Sequence, residues 1–278
     1  MSTFTTPAPV SATVEVAGAQ VRVIASDRTD TVVRVEPIDA ANRSDVKVAD
    51  RTKVAFADGA LSVKTTVSGS KSGSVAITID LPTGSALATY LAHSTVRGEG
   101  SFGACELHIA SGRVHLDDVE AVRANLTGGE VTIGSVAGRT DVDGAVFDMR
   151  IGEAGGPVVL SGSGGQTWIG HARADLDLRS ASGGFDIDRA DAGVAAETAN
   201  GRIRIGMVTR GRTKLVNSSG TIEVGVAEDS AASIDVSSER GATHDFVSQH
   251  GNPASATEKV MVHARTRNGD IVVQRAKG

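Results

Sequence analysis

From about residue 105 onward the chain repeats one short phrase: a Gly, an apolar residue two positions on, and another two further. Gly112 leads Val114 and Leu116, and Gly129 leads Val131 and Ile133. Gly165 leads Thr167 and Ile169, Gly183 leads Phe185 and Ile187, Gly201 leads Ile203 and Ile205, and Gly220 leads Ile222 and Val224. Phe147 stands where the series calls for Gly, yet Met149 and Ile151 keep the apolar pair. The steps from 112 to 220 are 17, 18, 18, 18, 18 and 19 residues. A second apolar pair precedes each leading Gly, as in Cys105 with Leu107, Val158 with Leu160, and Leu176 with Leu178. Apolar residues alternating with period two mark strands. Each unit therefore reads as two short strands divided by turns.

No such unit can bury its apolar face alone. Stacked in parallel at about 4.8 Å, each inward residue meets its equivalent in the next unit. The predicted fold is all-β: a right-handed parallel β-solenoid of roughly 18-residue rungs over 87–278. A left-handed hexapeptide helix would repeat its apolar residues evenly every six, and the intervals here are uneven, which favours the right-handed form. Ile234 and Val236 open a further unit, and the pattern turns irregular after 240. The pattern of Val262, Ala264, Gly269, Ile271 and Val273 predicts a final rung or cap.

Residues 1–86 follow another rhythm. Alternating segments at 13–17, 20–25, 31–36, 53–56, 61–66 and 75–81 are separated by short turns such as Asp27 to Asp30 and Asp58-Gly59. That spacing is hairpin-like and predicts an N-terminal antiparallel β cap over the solenoid's open end, where bare strand edges would invite polymerisation.

Composition narrows the picture. Among 278 residues there are 33 Gly and only 3% aromatics, which predicts a narrow interior of Val, Ile, Leu and Ala with many tight turns. A net charge of −5 with interspersed signs argues against nucleic acid and against a polybasic membrane-surface patch. The single cysteine, Cys105, has no partner for an internal disulfide. No apolar run approaches the roughly 18 residues of a membrane span, and Met1 to Ala17 lacks a basic and then apolar leader. The expectation is a cytoplasmic protein.

The phrase Ala199-Asn200-Gly201-Arg202-Ile203-Arg204-Ile205-Gly206, with the opening Val14-Glu15-Val16-Ala17-Gly18 and the later run from Ile24 to Val33, resembles a bacterial family. It is similar to the β-strand-repeat domain-of-unknown-function family labelled "putative adhesin", in its actinobacterial form, over nearly the whole chain. The resemblance implies the fold and carries no catalytic residues across.

Candidate chemistry is sparse. Gly98-Glu99-Gly100-Ser101-Phe102-Gly103 matches G-x-G-x-x-G, but a dinucleotide site needs a helix next and Ala104 to Ile109 is strand-like. Ser68-Gly69-Ser70-Lys71 matches S-x-x-K, yet it sits in a Gly/Ser-rich turn without S-D-N or K-T-G downstream. The seven histidines form no metal-ligand spacing and fall in different columns. An outward column of Glu106, Arg123, Asp141, Val159, Asp177, Ala195 and Lys214 holds acids, but Asp141 and Asp177 lie two rungs, about 10 Å, apart.

One surface stands out. Between the two apolar residues of the main strand run His115, Thr132, Arg150, Trp168, Asp186, Arg204 and Glu223. Arg150 is placed to stack on Trp168, and the charges after it alternate. A plain charge ladder with one cation–π contact explains this column. Its other reading is a flat recognition surface at Arg150, Trp168, Asp186 and Arg204 centred on the sole tryptophan. Catalytic, cofactor and metal residues are not identified. The sequence therefore predicts a non-enzymatic scaffold or interaction module, engaging a protein partner or itself. Its alternatives are a self-assembling bactofilin-like protein and a carbohydrate-binding or carbohydrate-active β-helix protein.

Overall fold

The computed structural model describes residues 1–65, 73–250 and 256–276. The fold is all-β with two short helices, and it divides into two compact units, Met1–Gly134 and Ser135–Gly278.

Unit 1 contains β1 (Ser2–Thr5), β2 (Ser11–Ala17), β3 (Ala19–Ser26), β4 (Asp30–Pro37), α1 (Arg43–Arg51), β5 (Lys53–Ala57), β6 (Ala60–Lys64) and β7 (Val75–Pro82). It ends within β8 (Ala86–Val136), a long, repeatedly turning strand. Its first 86 residues are not wholly antiparallel. β2 pairs in parallel with β6 on one side and with the start of β8 on the other. β3 pairs in parallel with β7 and with a later stretch of β8. The strands that do run antiparallel are β1 against β4, β4 against β7, and β5 against β6. The cause is local. Gly18, at φ +68°, turns a corner between β2 and β3 without reversing the chain, and His93, at φ +50°, turns the corresponding corner in β8. Asp58 (φ +49°) and Gly59 (φ +75°) instead make the two-residue reversal that an Asp-Gly hairpin favours. Asp27 to Asp30 is no hairpin turn, since β3 and β4 flank β7 on opposite sides.

α1 stands where the strand pattern gave no element. Asn42 caps it, its side chain accepting from the Ser44 N–H at 2.9 Å. Asp45 is buried and satisfied, accepting from the main-chain N–H groups of Asp39 (3.0 Å) and Ser74 (2.7 Å).

Unit 2 continues with β9 (Thr140–Ala154), β10 (Val158–Ala172), β11 (Leu176–Ala190), β12 (Val194–Asn200), β13 (Ile203–Val208), β14 (Gly211–Ser219), β15 (Ile222–Ala227), β16 (Ser230–Arg240), β17 (Thr243–Asp245), α2 (Phe246–His250), β18 (Glu258–Asn268) and β19 (Ile271–Ala276). Val158 lies beside Thr140 and Leu176, and Leu176 beside Val194, all in parallel register. Ile187 sits between Ile169 and Ile205, and all three are essentially sealed from solvent. Burying an aliphatic side chain of this size is worth about 1.5–3 kcal/mol, so these inward columns hold the stack together.

Within neither unit does the stacking follow chain order. β18 and β19 pair with β14 and β15 on one side, and with β16 and β17 on the other. The last strands of the chain therefore lie inside the stack, one layer in from β16 and β17, and are not its terminal rung. The guanidinium of Arg275 ties them to the crossing connection, donating to the carbonyls of Ala227 (2.8 Å) and Ser230 (2.7 Å). The opening strands β2 and β3 are interleaved likewise between β6–β7 and β8. There the buried Ser85 hydroxyl accepts from the Val10 N–H at 3.0 Å and donates to the Pro82 carbonyl at 2.6 Å.

Candidate functional site

The parallel register of unit 2 sets Arg150 beside Trp168, Trp168 beside Asp186, Asp186 beside Arg204, and Arg204 beside Glu223. These residues lie between inward neighbours, so their side chains project from the sheet. The polar contacts depart from a simple ladder. The indole N–H of Trp168 donates to Asp188 at 3.1 Å. Arg204 bridges Asp186 (2.6 Å) and Asp188 (3.0 Å), which raises its already high pKa. Glu223 takes its ion pair from Arg202, at 2.8 Å, and not from Arg204. Arg150 remains exposed beside the indole. A Cβ on Gly170 would meet the Gly152 carbonyl oxygen at 2.6 Å and the Trp168 ring edge at 3.0 Å, so glycine there admits both the close approach of the preceding layer and the indole lying along the sheet. His115 and Thr132 belong to unit 1, where His115 faces Asp117 at 3.5 Å.

The other motifs resolve into structure. Gly98 to Gly103 lies within β8 with no helix after it. Gly100, at φ +89°, leaves no room for a Cβ against the Ala25 carbonyl, and its N–H goes to Asp117 at 3.0 Å. Asp141 is held by Arg139 at 2.6 Å and Asp177 by Arg179 at 3.1 Å, so the acids of that column are committed separately. Ser68 to Lys71 lies outside the described residues. Among the described residues no group of three His, Cys, Asp or Glu side chains could hold a metal ion. Cys105 is buried, which pushes its thiol up to about 12.

A second feature lies in unit 1, on Tyr90 and on His108, one of the seven histidines that show no metal-ligand spacing. Tyr90 and His108 stack face to face, with centroids 4.6 Å apart and planes 3° from parallel. His108 also pairs with Glu106 at 2.8 Å. Together they wall an open groove of about 720 Å³. Register carries the wall on to Glu15, beside Tyr90, and to Lys64, which is ion-paired to Glu15 at 2.6 Å. Asn125 and Thr127 also line the groove, and Ala17, Ala92 and Ala110 form part of its floor. The signal was present in the sequence, since Tyr90 and His108 are 18 residues apart. Tyr90 lies upstream of the regular repeat, where no Gly marker aligns it with His108. His93 and Ser111 share that interval and are hydrogen-bonded at 3.0 Å.

A family model covering residues 12–274 matches the chain. The chain belongs to the Toastrack DUF4097 family. This Toastrack chain is similar to solved structures at low identity. One is a putative adhesin from Parabacteroides merdae, at 10% identity over 99% of this chain and 95% of that one, with a TM-score of 0.46. A putative adhesin from Bacteroides fragilis matches at 13% over 98% and 95%, with a TM-score of 0.36. A putative cell adhesion protein from Clostridium sporogenes matches at 10% over 99% and 98%, with a TM-score of 0.20. None of the curated proteins is similar in sequence to this chain. Among the described residues no helix is long and apolar enough to cross a membrane.

Proposed function

We propose that this chain is a non-enzymatic scaffold that presents the outer face around Trp168 to a protein partner. In this reading the frame is a right-handed parallel β-solenoid of roughly 18-residue rungs over 87–278. The strands of 1–86, with antiparallel β1, β4 and β5, serve as its cap. One observation carries the functional part. The sole tryptophan is held in place by its N–H bond to Asp188, in register with Arg150 and Asp186, and with Arg204 tied to both Asp186 and Asp188. Aromatic and Arg side chains fixed in advance lose little entropy on binding and dominate interface energetics. Affinity capture from the native cell with wild-type, Trp168→Ala and Arg150→Ala chains tests it. Loss of a specific partner from both variants is the expected result. Retention of every wild-type partner by both would remove the proposal.

A second reading, self-association, is favoured by the outermost strand of unit 2. Inward Ile234 and Val236 on β16 are only half-buried, while Val262 and Ala264 in the adjacent layer are fully buried. Light scattering over a wide concentration range separates the two readings, because a strictly monomeric species at high concentration excludes self-association.

A further inference from the structure

The groove of unit 1 is built from strands whose main chains are already paired. β2 is laddered to β6 on one side and to β8 on the other. Among the described residues an extended peptide therefore finds no free edge to augment along Ser11–Glu15. What the groove offers is side chains. Glu15 and Lys64 neutralise one another at 2.6 Å, and Glu106 faces His108 at 2.8 Å. Glu15 and Lys64 thus cancel within the lining, and Glu106 is engaged by His108 and is not part of the lining, so the groove gives neither a polyanion nor a polycation a field to follow. Around these pairs lie the Tyr90 hydroxyl, the Asn125 amide and the Thr127 hydroxyl, groups that both donate and accept. Ala17 and Ala92, adjacent in register, and Ala110 let a ligand come close to the sheet.

We propose that this groove binds a neutral, linear oligosaccharide. Sugar hydroxyls both donate and accept, as the lining does, and the balanced charge matches an uncharged chain. The side-chain columns recur at about 4.8 Å, comparable with the length of one sugar ring, so a glycan lying along the stack meets a new set of polar groups at each layer. From Lys64 through Glu15, Tyr90 and His108 to Asn125 there are five layers, enough for roughly three or four rings at that spacing. The volume of about 720 Å³ falls in the range of small-ligand clefts. The site lies wholly within unit 1, so it stands or falls independently of the Trp168 face.

The chain has one tyrosine, so a full-length sample labelled at tyrosine gives a single NMR reporter in the groove. It is titrated with tetramers of β-1,4-linked glucose and N-acetylglucosamine and with α-linked mannose and glucose tetramers. The matching monosaccharides, a neutral tetrapeptide and inorganic polyphosphate form the comparison arms. At least one tetrasaccharide is expected to shift the Tyr90 signal saturably, with an affinity about tenfold or more above that of its monosaccharide. Ala110→Arg, at an exposed strand position, fills the floor and is expected to weaken that binding about tenfold or more with the melting temperature unchanged. Asn125→Ala and Thr127→Ala are each expected to weaken it, and they decide the matter if Ala110→Arg does not fold. The proposal is overturned if no tetrasaccharide shifts the signal at millimolar concentration. It is equally overturned if binding survives the groove variants undiminished, or if only the peptide or the polyphosphate binds.

Discussion

Thr140 lies directly beside Val158 in the wall of unit 2, fully buried, its hydroxyl without a hydrogen-bond partner among the described residues. A buried hydroxyl left unpaired costs about 1–3 kcal/mol, and valine has nearly the same shape. Thr140→Val should therefore stabilise the chain by about 1 kcal/mol. The expected result is a higher urea midpoint at constant m-value. A lower midpoint would show that the hydroxyl has a partner in solution, such as a buried water.

Gly165 is a test of how closely the layers approach. Its φ is +100°, and a Cβ there would overlap the carbonyl oxygen of Phe147 in the preceding layer. Gly18 has φ +68°, but a Cβ there would meet nothing within 4 Å, and His93 already occupies the equivalent corner of the next layer. Gly18→Ala should cost only the left-handed backbone penalty, about 1–2 kcal/mol. Gly165→Ala adds a collision between main chains and should cost clearly more, or prevent folding. Equal urea midpoints for the two variants would show that glycine at 165 does not control the approach.

The Asp191 carboxylate is held below its ordinary value of 3.8. Burial works against its ionisation, but bonds with His171 (2.7 Å), Arg189 (2.9 Å) and Thr209 (3.1 Å) outweigh burial. A depressed folded pKa means that the ionised form supports the fold. Its contribution is complete above the unfolded value and fades as pH falls through the folded one. Asp191→Asn should lose about 1–3 kcal/mol at neutral pH. The gap from wild type should narrow below about pH 4. Paired urea titrations across pH check this, and a gap that widens on acidification would contradict the assignment.

Cys105 should behave as a core residue with no chemistry of its own. At 2% exposure and with its thiol pushed up to about 12, it offers almost no thiolate near neutrality. An aromatic disulfide reagent at pH 8 should leave the native chain unmodified and titrate one thiol after denaturation. Rapid labelling of the native chain would place Cys105 at an accessible position.

What could be read from the sequence followed from period-two alternation. It marks the inward residues around Ile187 and Ile203 whatever lies next to them, so the all-β character is legible there, and the 18-residue spacing gives the register that sets Arg150, Trp168 and Asp186 side by side. Alternation carries no information on strand direction, so β2 and β3 read as hairpin members although Gly18 only turns a corner. It is equally blind to order in space. Val262 and Ala264 alternate as they would in a terminal strand, yet their neighbours on both sides come from earlier in the chain. α1 is short and polar, with Asn42 as its main cue. On the candidate face the columns placed Trp168 beside Arg150, but the choice of Asp188 as indole partner depends on side-chain reach across layers.

The interleaving within each unit has a consequence for how the molecule is made. A ribosome delivers β16 and β17 before β18 and β19, so the outer layer of unit 2 leaves the exit tunnel before the one that must sit beneath it. In unit 1 β2 and β3 emerge first and wait for flanks supplied some fifty residues later. Assembly therefore cannot proceed as a zipper advancing one card at a time from start to finish. Each unit closes like a latch once a remote segment arrives, and prying a unit apart means releasing its latch before any single layer can peel away.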